Sequence, residues 1–203
     1  MAETVYVAVY DTFVDWEIGL AIDHINKPMW HKQPGRFTVA TVGATREPVV
    51  TMGGLRIVPD TTLDEIGPQG SAMLILAGND IWNTDQFVPF AAKAREFLDA
   101  GVPVAAICGA TGGLAMAGLL DDRQHTSNAA EFLNSVGYGG GHLYRDEPAV
   151  TDRDLVTAAA NAPVHFAREI LERLDVFEPN VLASWFKLYG QRDSAGFYEL
   201  MAG

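Results

Sequence analysis

Four mostly apolar, β-branched runs punctuate the first half of the chain: TVYVAVY (4–10), RFTVATV (36–42), SAMLILAG (71–78) and VPVAAI (102–107). Runs of this kind suit strands covered on both faces, as in a parallel sheet. The segments between them read differently. DWEIGLAIDHINKPMW places Trp16, Leu20, Ile22 and Ile25 at helical spacing, and Pro28 bends or ends that helix. DQFVPFAAKAREFLDAG is amphipathic and stops at Gly101. EPVVTMGGLRIVPD reads as a hairpin turning at Gly53-Gly54. Strands separated by helices predict an α/β three-layer sandwich, with a mainly parallel sheet and helices on both faces.

The second half is less regular. RQHTSN (123–128) is expected as a short strand and NSVGYGGGHLYRD as loop, while AVTDRDLVTAA resembles a hairpin on an Asp-rich turn. APVHFAREILERLD is a helix with Phe166, Ile170, Leu171 and Leu174 on one face, and NVLASWFKLYG is a further amphipathic helix. With no repeat or linker, residues 1–203 are expected to form one domain, with a core over 4–176 and a C-terminal helical extension over 178–203.

Composition narrows the partners. A formal net charge of −12 argues against nucleic acid and anionic membrane surfaces. No apolar run reaches the roughly 20 residues of a membrane helix. MAETVYVAVYD lacks a basic segment ahead of a hydrophobic one, so no signal peptide and a cytoplasmic location are expected. The five histidines (24, 31, 125, 142, 165) show no ligand spacing, and neither a metal nor a cofactor is expected.

The chain's one cysteine, Cys108, follows VPVAAI directly and precedes GATGGLAMAG. Ligands in open parallel sheets bind beyond the carboxyl ends of strands, and Asp11, Gly78 and Cys108 all fall just past predicted strand ends. A strand that turns sharply into a helix throws its corner side chain into the open and tolerates only small neighbours. Ala106, Gly109, Ala110, Gly112 and Gly113 supply them. The helix that begins there would point its positive end at the sulfur. The same spacing fits a buried, inert cysteine in a small-residue contact equally well.

AICGATGGLAMAGLLDDRQHTSN resembles the signature of the ThiJ/PfpI superfamily, the cysteine branch of the flavodoxin-like, class I glutamine-amidotransferase-like fold. VYDTFVDWEIGLAIDHI, LRIVPDTTLDEI and LVTAAANAPVHFAREILERLD resemble further segments of it in order, from about Val5 to Asp175. The resemblance implies that Cys108 is the reactive cysteine and that Glu17 is the acid facing it. It implies an oxyanion site from backbone N–H groups of Gly109 and of the AGN turn, Gly78 and Asn79. It also implies a homodimer. Without it, Glu17 would read as an exposed helix carboxylate. Asn128, Trp82 and Asp15 are pocket candidates, although Trp82 could equally cap the core. The NVLASWFKLYG helix is expected to pack on its own domain or, as the second choice, on a partner subunit.

The chain departs from that pattern where the family often carries a histidine, at the position occupied by Asn128. His125 is three residues early and faces the other way on an extended chain. His165 is expected well inside its helix, as a surface or packing residue, and His142 is a loose candidate. The Asn79 side chain is expected to narrow the pocket or to offer its own amide to an oxyanion. A protonated Glu17 beside the sulfur would favour thiolate. Three functions follow. The first is a cysteine-dependent hydrolase, hydratase or glyoxalase-like enzyme on a small electrophilic molecule; glutamine amidotransferase and peptidase activity fit less well without the histidine. The second is a redox-responsive stress protein whose Cys108 stops at sulfinic acid. The third is a binding module that has lost the chemistry.

Overall fold

The structure is a computed structural model that describes residues 2–202. In chain order it comprises β1 (Glu3–Ala8), α1 (Gly19–Asn26), β2 (Phe37–Gly43), β3 (Val49–Val50), β4 (Arg56–Ile57), β5 (Thr61–Thr62), β6 (Ser71–Leu76), α2 (Val88–Asp99) and β7 (Val104–Ile107). Then follow α3 (Gly109–Met116), α4 (Ala130–Asn134), β8 (Ala149–Asp152), β9 (Leu155–Ala158), α5 (Pro163–Arg173), α6 (Pro179–Tyr189) and α7 (Ala195–Ala202). Seven strands form one sheet in the order β5-β2-β1-β6-β7-β9-β8, parallel except for the β8–β9 hairpin. The expected α/β sandwich with a mainly parallel sheet is what forms.

The continuous apolar runs explain the middle of this sheet. Met73 to Leu76 and Val104 to Ile107 are all buried, because helices cover both faces. α1 and α5 contact each other and pack on one side, while α2 and α3 pack together on the other. Phe166, Ile170, Leu171 and Leu174 of the α5 face are all buried, as their spacing predicts. The predicted hairpin forms as β3 and β4, antiparallel.

Three local expectations are corrected. Trp16, at helical spacing with Leu20, Ile22 and Ile25, does not join them against the core and is 57% exposed. A separate 3-10 turn, Asp15–Glu17, precedes α1, so the helical phase restarts at Gly19 and sends Glu17 inward in place of its neighbour. RQHTSN makes no strand, only a single bridge between His125 and Tyr144. Side chains take the place of the ladder there: the Thr126 N–H donates to Thr157 Oγ1 at 2.9 Å, and the Thr126 hydroxyl donates to the Glu147 carbonyl at 2.7 Å. His165 lies in the first turn of α5, not well inside it.

Strand order places the site. β1 pairs with β2 on one side and β6 on the other, so the chain reverses its direction of progress across the sheet between β1 and β6. Such a switch opens a crevice at the carboxyl ends. Glu17 follows β1, Gly78 follows β6 and Cys108 follows β7, the next strand across.

Candidate active site

Cys108 stands at the corner between β7 and α3 with φ 58° and ψ −129°. A positive φ costs a non-glycine residue energy, so the corner must be held from outside. It is held at both peptide groups. The Cys108 N–H donates to the Ala158 carbonyl at 3.1 Å, and the Cys108 carbonyl accepts the Thr111 N–H at 3.1 Å and the Thr111 hydroxyl at 2.6 Å. The sulfur is half-buried, not sealed in the core. This strained and partly open corner is the geometry of a nucleophile elbow.

Glu17 is 1% exposed, and its Oε2 accepts the Gly78 N–H at 2.7 Å. Its carboxyl group also neighbours the Cys108 thiol closely enough for each to perturb the other's ionisation. The two side chains meet over the bare face of Gly78. A Cβ placed there would lie 2.8 Å from Glu17 Oε2, 2.8 Å from Cys108 Cβ and 3.0 Å from Sγ. Gly78 therefore serves the site by lacking a side chain. Its N–H is committed to Glu17, which corrects its expected place among the oxyanion donors.

Burial pushes the Glu17 carboxyl up, against the opposing pull of the Gly78 N–H and the thiol. Burial also pushes the Cys108 thiol up, and the Glu17 charge adds to it. Asn128 and the Gly109 N–H pull the other way. The expectation of a thiol favoured as thiolate by its acid neighbour is thus corrected. Two neighbouring buried groups cannot both ionise cheaply, so the charge of one opposes the ionisation of the other.

Gly109 and Asn79 bring their backbones together: a Cβ on Gly109 would lie 2.9 Å from the Asn79 carbonyl oxygen and 3.4 Å from the Asn79 nitrogen. The Gly109 N–H faces the sulfur. The Asn79 side chain does not offer its amide to the site, because Nδ2 donates to the Ala77 carbonyl at 3.2 Å and the residue is buried. Trp82 lies across Gly109 and Gly112, whose absent Cβ atoms would come within 3.0 Å of its ring, and Phe132 packs beside it with ring centroids 4.9 Å apart. Trp82 thus packs directly on the first turn of α3, beside the elbow.

Asn128 Nδ2 lies 3.5 Å from Cys108 Sγ. Asp15 stays out of reach: its Oδ2 accepts the Thr51 hydroxyl at 2.7 Å and ties the β3–β4 hairpin to the turn that carries Glu17. His125 bonds the Tyr138 hydroxyl and the Arg123 carbonyl, away from the sulfur. His165 shares with Asn128 a neighbouring cleft of about 400 Å³ and packs on Phe186. Among the described residues, no cluster of three or more His, Cys, Asp or Glu converges to hold a metal ion, and no helix is long and apolar enough to cross a membrane.

An elbow cysteine over a parallel sheet, set against a buried acid from the first strand's exit, defines a class of α/β protein. Comparison with known proteins places the chain within it. A family model described as the DJ-1/PfpI family matches residues 3–173. A Bacillus subtilis protein named "Uncharacterized protease YoaZ" is 43% identical over 200 residues, covering 97% of this chain and 95% of its own. The crystal structure of a thiJ/pfpI family protein from Bacillus anthracis superimposes with a TM-score of 0.92 at 40% identity, covering 100% of this chain and 97% of that one. The DJ-1 superfamily protein Atu0886 from Agrobacterium tumefaciens gives 0.82 at 32% identity, covering 95% and 100%. The chain belongs to the DJ-1/PfpI family.

Proposed function

We propose that the protein is a cysteine-dependent enzyme acting on a small electrophilic carbon, as a hydrolase, hydratase or glyoxalase-like catalyst. The observation that carries this reading is the partly exposed Cys108, held at a strained corner and facing the Glu17 carboxyl over the bare Gly78. In the proposed step Sγ attacks the carbon and its proton passes to the Glu17 carboxylate. The electron pair of the carbonyl moves onto oxygen, where the Gly109 and Asn79 N–H groups would receive the charge. Glu17 then returns the proton to the oxygen or to the leaving group. Aldehydes and activated esters suit this arrangement, because neither asks for a strong proton donor to an amine. The relatives' names include the word protease, but amide cleavage would need that donor, and Asn128 cannot be one at neutral pH.

One cysteine makes the test clean. Iodoacetamide is expected to label Cys108 alone among thiols and to remove turnover of small aldehydes and activated esters in proportion to the label. Full turnover by fully labelled protein would take Cys108 out of the reaction.

A second reading draws on the same lone sulfur. With no other cysteine in the chain, a sulfenic acid at Cys108 has no internal thiol to condense with. Two molecules of hydrogen peroxide would then add two oxygens to Sγ and leave as two waters. Mass spectrometry after mild peroxide is expected to find the sulfinic acid at Cys108. Oxidation confined to methionines rules this reading out.

A further inference from the structure

Asn128 occupies the position where the family resemblance leads to a histidine, and its amide is fixed at both ends. Oδ1 accepts the Ala160 N–H at 2.9 Å, while Nδ2 lies 3.5 Å from Cys108 Sγ. An amide has one donor end and one acceptor end. With the oxygen committed to an N–H, only the NH₂ group can face the sulfur. The preceding residue braces this orientation. Ser127 Oγ is 2.6 Å from Thr111 Oγ1, and the Thr111 hydroxyl donates to the carbonyl of Cys108 itself at 2.6 Å. Asn128 is thereby tied to β9's exit through Ala160 and, through Ser127, to the elbow whose sulfur it contacts.

We propose that Asn128 is a catalytic residue: a fixed N–H donor that stabilises negative charge on Cys108 Sγ and cannot take the proton that leaves it. The inference rests on reading Cys108 as the reacting group. A histidine at this position could do either job, whereas an amide does only the first. The proton must therefore go elsewhere, and among the side chains around the sulfur one is placed to take it. Gly78 and Gly109 present only backbone, the Tyr10 hydroxyl is spent on the Ala77 carbonyl, and Glu17 from the turn after β1 faces the sulfur over Gly78. His125 is turned to Tyr138, and His165 packs against Phe186. The S–H bond breaks, Glu17 Oε gains the proton, and the Asn128 amide keeps both of its own.

The test is the pH profile of Cys108 alkylation by iodoacetamide in the wild type, Asn128→Asp and Asn128→Ala, with melting temperatures measured alongside. Asn128→Asp keeps an acceptor for the Ala160 N–H but turns a carboxylate towards the sulfur. It is expected to melt near the wild type while alkylating at least about tenfold more slowly at neutral pH. Asn128→Ala removes the donor without adding charge and is expected to slow alkylation by about three- to tenfold, with the thiol titrating at higher pH. A residue that merely holds Ala160 in place would give the reverse order, with Asp harmless and Ala disruptive. That order, or three superimposable profiles, overturns the proposal. If neither variant folds, the wild type decides: the Asn128 side-chain amide ¹⁵N resonances should move with the titration of Cys108, and resonances that stay still overturn it. Retained turnover after complete alkylation is a separate result, which removes the enzyme reading and leaves the amide–sulfur contact untouched.

Discussion

Gly78→Ala is expected to lower turnover by about a hundredfold or more while the protein stays folded. The glycine's φ is not in the left-handed region, so alanine meets no backbone penalty there. The loss comes from the added methyl group, which would sit 2.8 Å from Glu17 Oε2, 2.8 Å from Cys108 Cβ and 3.0 Å from Sγ. All three are inside van der Waals contact. Cys108 cannot retreat, because Ala158 and Thr111 fix its peptide groups. Glu17 must therefore move, and it loses both the Gly78 N–H and the sulfur. Overpacking of this size costs about 1–3 kcal/mol of stability, which a chain with this core should survive. The pattern to look for is a melting temperature lowered by several degrees, next to an activity that has nearly vanished. Wild-type turnover in a folded Gly78→Ala protein would break the Cys108–Glu17 pairing as an account of the site.

The strands that build the sheet's centre were legible because burial on both faces demands continuous apolar runs, and 72–76 and 104–107 leave no polar alternative. The elbow was legible for a related reason: a strained corner with a ring laid across its helix favours residues with little or no side chain, and Gly109, Ala110, Gly112 and Gly113 supply them. The burial of Glu17 was not. Helical periodicity through Trp16, Leu20 and Ile25 assumes one continuous helix, and a single 3-10 turn shifts the phase by enough to exchange which of Trp16 and Glu17 faces inward. Only the family resemblance pointed at that glutamate. Asn128 shows a different limit. Its departure from the family histidine is plain in the sequence. The direction in which its amide points depends on the N–H of Ala160, 32 residues on, and no local pattern encodes that. The absent strand at 123–128 has the same origin, since the Thr157 hydroxyl reaches in from a distant segment to accept a backbone N–H that would otherwise seek a ladder.

Stability should fail most sharply one turn along the elbow helix. Gly113→Val is expected to cost about 3 kcal/mol, seen as a melting temperature lower by about 6–12 °C for a chain of this size. A Cβ on Gly113 overlaps the ring of Phe87 and lies 3.1 Å from the Trp82 carbonyl oxygen. The ring is 1% exposed, packs edge-on against Tyr10 with centroids 5.6 Å apart and is stacked with Phe90 at 6.1 Å, so it cannot shift without disturbing both. Replacing a helical glycine by valine recovers only about 0.5 kcal/mol of propensity, too little to offset the clash. Tyr10 in turn donates its hydroxyl to the Ala77 carbonyl at 2.5 Å, one residue before Gly78, so displacement of the ring stack also reaches the crevice where Glu17 and Cys108 meet. Because Gly113 and Phe87 share one contact, the double variant with Phe87→Leu should be less unstable than the two single losses added together. Strict additivity would mean that the helix answers the new side chain by moving as a body, and that this contact is not what holds α3 against α2.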